Sequence, residues 1–424
     1  MADARQVLMV AYHYPPCFGT SGVLRTLKFS RYLPEAGWHP IVLSAHPRAY
    51  ETTRADQLRE LPRTVVIQRA FALDAKRHLA IRGRTAGWLT LPDRWASWWL
   101  GAVPLGVRLV RRHRPGVLWS TFPIATAHLI ASTLHARTGI PWVADFRDPM
   151  TEDDYPLDPR LHRVYRWIER RCVQRASRLV FTTESTRDMY LKRYPDLPAE
   201  RCVVISNGYD EEDFRGLPAR PSRPMPRPLR LVHSGLIYQS ERDPRPLFRA
   251  IARLKQTLGL SAETMRLDLR APGAAAYYER LIADLGIADV VHVLTSLPYR
   301  EALADSSTAD ALLLLQDASC NRQIPAKAYE YIRLGRPILA LTSADGDTAA
   351  LLRQTGGATV LDLRDEEAIV AGLPRFLDGL RADRHPVPSA GAVTRFARHV
   401  QAAELATLLS SVADDPRSAR GSIR

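Results

Sequence analysis

Two doubly wound α/β domains, facing each other across a cleft, are the fold class this sequence predicts, on three observations. Short apolar runs alternate with segments of helical periodicity along nearly the whole chain. The alternation breaks once, at the proline-dense stretch RGLPARPSRPMPRPLR (215–230), and then restarts. At 424 residues the chain is also too long for one ordinary hydrophobic core. Alternating strand and helix implies a mostly parallel sheet covered on both faces, whose strands must be apolar almost throughout.

In the first half the strand-like runs are QVLMVAY (6–12), HPIVLSA (39–45), TVVIQRA (64–70), GVLWST (116–121), WVADF (142–146), RLVFTT (178–183) and CVVISN (202–207). Between them, SGVLRTLKFSRYLPEAG and FPIATAHLIASTLHARTG carry the spacing of amphipathic helices. After the proline-rich stretch come LRLVHSG (229–235), LDLRA (267–271), VVHVLTS (290–296), ADALLLLQ (309–316), PILALTS (337–343) and ATVLDL (358–363). The reading is a first domain over 1–215, a linker over 216–228 and a second domain over 229–389. One last amphipathic helix covers 390–412 and is expected to pack back on the first domain; the tail after it, ADDPRSARGSIR, is expected to be disordered.

Composition narrows the function. The hydrophobic share of 46% and charged share of 25% are those of a soluble globular protein. No apolar run reaches the roughly 18 residues of a membrane helix, and the N-terminus lacks a signal-peptide layout. Cys17, Cys172, Cys202 and Cys320 show no metal-binding spacing, which suits a reducing cytoplasm and no structural zinc. The net charge of +14 is nearly all arginine, with roughly +10 in the first 215 residues. RLVRRHRP (108–115) and RVYRWIERRCVQRASR (163–178) are its densest clusters. Heavy arginine usage also follows from genomic base composition. No nucleic-acid-binding motif accompanies the charge, so no nucleic-acid partner is expected. Trp88, Trp95, Trp98 and Trp99 lie close to the first cluster, a composition of membrane interfaces as well as of cores.

Ligands of doubly wound sheets bind outside the carboxyl ends of the strands, and the unusual residues are there. Gly19 and Gly22 follow the first strand in HYPPCFGTSGVLRTLKF; glycine lets backbone N–H groups approach an anion at a helix start, although an ordinary turn reads the same way. Asp145, Arg147 and Asp148 crowd the end of a buried strand in WVADFRDPM, as a sugar-recognising group or as a structural ion network. Gly235 ends a strand in LVHSGLIYQSERDPRPLF, and Arg242 then precedes a helix, placed for phosphate or simply solvated. In IPAKAYEYIRLGRPILAL (324–341), Pro325 opens a helix on which Lys327 and Glu330 share a face, suited to a diphosphate and a ribose diol or to a plain ion pair.

Taken together, GTSGVLRTLKFSRYL, LPDRWASWW, WSTFPIATAHLIA, WVADFRDPM, VISNGYDEEDF, LVHSGLIYQSERDPRPLFRAI and IPAKAYEYIRLGRPILAL resemble the family-4 glycosyltransferases of the GT-B fold, over about residues 6–412. They look most like a branch acting on bacterial polysaccharides and glycoconjugates. The resemblance implies two Rossmann-like domains and a retaining, metal-independent hexosyltransferase with no cofactor. The donor would be a UDP- or GDP-sugar held by the second domain; the acceptor would be a glycan, a lipid-linked glycan or a small molecule. It implies that Glu330 binds ribose, that Arg242, Lys327, Gly235, Gly19 and Gly22 surround the diphosphate, and that Arg322, Ile324 and Pro325 line the sugar pocket. Arg147 falls where many relatives place a sugar-contacting histidine, with Asp145 and Asp148 beside it as catalytic candidates. Two positions depart from the family pattern: Arg322 replaces a glutamate, and Leu236 stands where a second phosphate-binding arginine is frequent. These departures favour a second reading, a non-catalytic binding protein of the same fold. The implied location is the cytoplasm, at the inner face of an anionic membrane.

Overall fold

The computed structural model describes residues 5–19, 22–54, 58, 61–218 and 228–415. The chain divides into two compact units, Met1–Asn207 with Arg398–Arg424, and Gly208–Ala397. The first contains β1 (Arg5–Val10), α1 (Gly22–Tyr32), β2 (Trp38–Ala45), β3 (Val66–Ala70), α2 (Ala75–His78), α3 (Trp98–His113), β4 (Val117–Thr121), α4 (Ala125–Thr138), β5 (Trp142–Asp145), α5 (Pro159–Arg175), β6 (Arg178–Phe181), α6 (Glu184–Arg193) and β7 (Cys202–Val204). The second contains β8 (Leu229–Ser234), α7 (Arg245–Leu258), β9 (Met265–Arg270), α8 (Ala275–Asp284), β10 (Val291–Leu294), α9 (Tyr299–Ser307) and β11 (Ala311–Leu315). It continues with α10 (Ala326–Leu334), β12 (Ile338–Leu341), α11 (Asp347–Thr355), β13 (Ala358–Leu361), α12 (Glu366–Arg381) and α13 (Ala390–Thr394), before α14 (Arg398–Ala413) returns to the first unit.

Both sheets are parallel, with strand orders β3-β2-β1-β4-β5-β6-β7 and β10-β9-β8-β11-β12-β13. Among the described residues each of the thirteen strands coincides with one of the apolar runs. The cause is burial on both faces: Leu8, Met9, Val42, Leu118, Leu313 and Leu339 expose nothing to solvent. The helices between them are delimited by local chemistry. Asp158 accepts the Arg160 N–H at 2.8 Å and Pro159 opens α5, while Gly139 (φ 72°) and Gly335 (φ 64°) end α4 and α10 in the left-handed region.

The strand order fixes where a ligand can sit. In each sheet the winding reverses at its central pair, β1/β4 in the first and β8/β11 in the second. Loops leaving adjacent strands there diverge to opposite faces and open a crevice at their carboxyl ends.

The C-terminal region differs from a single helix over 390–412. The chain breaks between α13 and α14, and the Tyr209 N–H bonds to Phe396 O at 3.1 Å, holding the break within the second unit. The first unit correspondingly ends at Asn207, ahead of the 215 read from the sequence. α14 packs against α1, and its Ser410 accepts the Trp38 indole N–H at 3.1 Å. Of the linker expected at 216–228, residues 219–227 lie outside the described residues, as do 416–424 of the tail. The four tryptophans divide: Trp98 is fully buried, Trp95 and Trp99 are partly buried against the core, and Trp88 is 73% exposed. Among the described residues no helix is long and apolar enough to cross a membrane.

Candidate functional site

The crevice of the second unit gathers the basic residues singled out from the sequence. β8 ends in Gly235, whose φ of 108° is open to glycine alone among common residues. The neighbouring strand β11 leads into α10, and Tyr331 on that helix accepts the Ser234 N–H at 3.0 Å, locking α10 to the end of β8. Lys327 is thereby turned inward. Its ammonium lies 3.0 Å from His233 Nε2, and a Cβ on Gly235 would meet it at 3.3 Å. His233 Nδ1 faces Leu313 O at 2.9 Å, so Nδ1 carries the proton and Nε2 accepts from the lysine. Burial, then the charges of Lys327 and Arg242, keep His233 neutral by pushing its pKa well below the usual value. Lys327 itself is pushed down to about 7, first by burial and then by Arg242, with Glu330 opposing. No carboxylate among the described residues lies within ion-pair distance of Lys327.

Arg242 leaves the loop before α7 with Nη1 bonded to Leu236 O at 2.9 Å and its guanidinium over the Tyr238 ring at 5.1 Å. Glu330, one turn beyond Lys327, accepts the Tyr299 hydroxyl at 2.9 Å. Tyr299 comes from the SLPYREAL segment at the start of α9, so that loop reaches the same crevice. Pro325 caps α10, Ile324 is half-buried beside it, and Arg322 is exposed. Gly235, Arg242, Lys327 and Glu330 thus form one electropositive crevice at the reversal point of the sheet, with a carboxylate at its edge. Chemically it can hold an anion and, next to it, a diol.

The β1/β4/β5 crevice of the first unit is arranged differently. Asp145 does not face it as a free catalytic carboxylate: it is fully buried and paired with Arg25 of α1, Nη2 to Oδ1 at 2.8 Å and Nε to Oδ2 at 3.0 Å. Thr121 donates a further bond at 2.8 Å. Arg25 also donates to Ile205 O and Ser206 O, each at 2.9 Å. Asp145 thus neutralises a buried arginine 120 residues away, the arrangement of the structural ion network that the sequence also allows. Arg147 is buried and donates to Gly22 O at 3.2 Å, while its Nε has no partner. Burial lowers its pKa, and burial raises that of the half-buried Asp148 against the pull of Arg147. Gly22 begins α1 and Gly19 has φ 84°; Thr20 and Ser21 between them lie outside the described residues.

Three participants carry little sequence signal. His233 is hidden inside an apolar strand, and Arg25 inside an amphipathic helix. His13, in the loop after β1, is half-buried and pushed down to about 3 by burial and Arg147, so it presents a neutral imidazole beside Arg147. For His233 and Arg25 a histidine or arginine where the pattern demands a core residue is the available cue; His13, in a loop, has none. Among the described residues no group of three His, Cys, Asp or Glu is placed to hold a metal.

Comparison with known proteins agrees with this architecture. The glycosyl transferase 4-like domain family matches residues 22–208. None of the curated proteins matches the sequence. Among solved structures, a sucrose-phosphate synthase from Thermosynechococcus elongatus superposes with a TM-score of 0.64 at 13% identity, over 96% of this chain and 99% of that one. A glycosyltransferase from Rickettsia africae gives 0.65 at 11% identity, over 97% and 100%. HepE from Anabaena, solved with UDP-glucose, gives 0.62 at 12% identity, over 96% and 99%. At these identities the structural likenesses speak for the fold, two Rossmann-like units of the GT-B type. The glycosyl transferase 4-like match covers the first unit, residues 22–208, and the structural likenesses add a two-unit fold of the GT-B type.

Proposed function

We propose that the chain transfers a sugar from a UDP- or GDP-sugar, with retention and without a metal, to a glycan, lipid-linked or small-molecule acceptor. The observation that carries the donor half is Lys327: an ammonium turned inward, bonded to a neutral histidine, with no carboxylate at ion-pair distance among the described residues. Desolvating a cation in that setting is costly unless an anion arrives. A diphosphate is that anion, met by Lys327, Arg242 and the N-terminus of α10 against the glycine at 235. Glu330 then takes the ribose diol, and Arg322, Ile324 and Pro325 border the sugar. The same cations oppose the charge that develops on the departing nucleotide, which is electrostatic preorganisation. Retention without a protein nucleophile fits same-face attack, with the leaving phosphate helping to deprotonate the acceptor. Acceptor contacts are assigned to the first unit, where Arg147, Asp148 and His13 border the β1/β4/β5 crevice. The enzyme works in the cytoplasm, against the inner face of the membrane.

A thermal-shift comparison of UDP, GDP and ADP identifies the base, and turnover of the matching nucleotide sugars follows. HepE bound to UDP-glucose makes UDP the first choice. Arg242→Ala and Glu330→Ala are each expected to lower kcat/KM at least about 100-fold, the loss of a charged hydrogen bond at a transition state. Full turnover in both variants refutes the donor site.

A further inference from the structure

A groove on the first unit lies away from the strand-end residues described above. It has a volume of about 360 Å³, within the range of small-molecule sites. Its floor is Leu129 and Thr133 of α4; its walls are Trp99 and Leu100 of α3 and Trp167 and Arg171 of α5. The polar atoms of the floor are spent internally: the Trp99 indole N–H donates to Thr133 Oγ1 at 3.1 Å, and that hydroxyl donates to Leu129 O at 2.7 Å. What remains is an apolar surface with Leu100 64% and Trp167 49% exposed. Arg171 closes it, its guanidinium over the Trp167 ring at 4.9 Å and its buried Nε without a partner.

The outer face of α5 beside the groove is basic. Arg160, Arg163, Trp167, Arg170 and Gln174 are exposed at three- and four-residue spacing, so they form a single outer stripe on α5. Among the described residues Arg163, Arg170, Arg171 and Arg175 make no ion pair, while Asp153, Asp154 and Asp158 are confined to the helix start and the loop before it. An apolar slot bordered by unpaired arginines complements an amphiphile with a hydrocarbon chain and an anionic head. We propose that this groove seats the hydrocarbon chain of a phosphate-bearing membrane lipid, with the phosphate on Arg171 and its neighbours. The proposal rests on the lipid-linked branch of the acceptor reading and narrows it to that branch.

The test uses the full chain and phosphatidylcholine vesicles with or without phosphatidylglycerol, scored by co-sedimentation. Wild type is expected to partition onto the anionic vesicles and not the neutral ones. Leu100→Glu with Arg171→Gln should weaken that partition at least about tenfold, since it replaces one apolar chain contact by a carboxylate and removes one cation. Leu100→Glu alone alters an exposed position and should weaken it by a smaller factor with unchanged circular dichroism. Trp88→Ala, outside the groove, should leave it intact. Equal partition of the double variant, or loss only in Trp88→Ala, overturns the groove as the lipid site. Thermal shifts with UDP and with GDP are read on every variant: absence of both in wild type counts against the donor site, whereas a shift with either one and no vesicle binding counts against the groove alone.

Discussion

At the scale of a residue, Lys327 has the most consequential chemistry. Its pKa of about 7 means that the free protein sheds this proton as pH rises through neutrality, although an exposed lysine holds it past pH 10. A bound diphosphate supplies the missing counter-charge and restores the ammonium. Binding therefore takes up a proton above pH 7, and by linkage the affinity must fall as pH rises. The expected size is roughly tenfold in Kd per pH unit between about pH 7.5 and 9, until the pKa of the complex is reached. Lys327→Arg, permanently charged, should abolish the slope even if it binds less well. Calorimetric titration of UDP at several pH values reads both quantities. A flat wild-type profile over that window would show that the ammonium does not meet the nucleotide. His233 takes no part in the titration, because two cations and full burial keep it neutral throughout.

Between elements, the decisive contact is Arg25 with Asp145, which ties α1 to the end of β5, to Thr121 of β4 and to the carbonyls after β7. Both side chains are fully buried. Removing one leaves a buried charge unmatched, so Arg25→Met or Asp145→Leu alone should cost about 3–5 kcal/mol in urea unfolding of the first unit. The double variant should cost markedly less, because it removes both charges from the core. If Asp145 acts directly in catalysis, Asp145→Leu will instead lose turnover at unchanged stability. This pair also marks the limit of what the sequence reveals. Strands are legible because burial on both faces writes itself into consecutive residues, as in ALLLL at β11. The positions of Lys327 and Glu330 are legible because a proline and a glycine bracket their helix. The partner of Asp145 is not, since nothing local in the sequence couples positions 25 and 145. The break between α13 and α14 is equally silent: no glycine or proline stands in TRFAR, and a hydrogen bond from Tyr209 decides it.

Over the whole molecule, the chain path matters more than any single contact. The second unit, Gly208–Ala397, is one continuous stretch with its own core, whereas the first is completed only when α14 returns to it. α14 buries Leu405, Leu408, Leu409 and Val412 against the first unit and holds Trp38 through Ser410. At about 1.5–3 kcal/mol per buried aliphatic side chain, these four contribute on the order of 6–12 kcal/mol, comparable with the whole stability of a domain. Ending the chain after Ala397 should therefore unfold the first unit and abolish transfer, although every residue assigned to the donor remains. The second unit should keep a cooperative transition that UDP still raises, since its sheet and the Lys327 crevice lie within one uninterrupted segment. Calorimetric scans of the full and shortened chains, with and without UDP, separate the two transitions. An unchanged first-unit transition in the shortened chain would mean that α14 is an accessory to that core; loss of the UDP response along with it would mean that the donor crevice does not stand on the second unit alone.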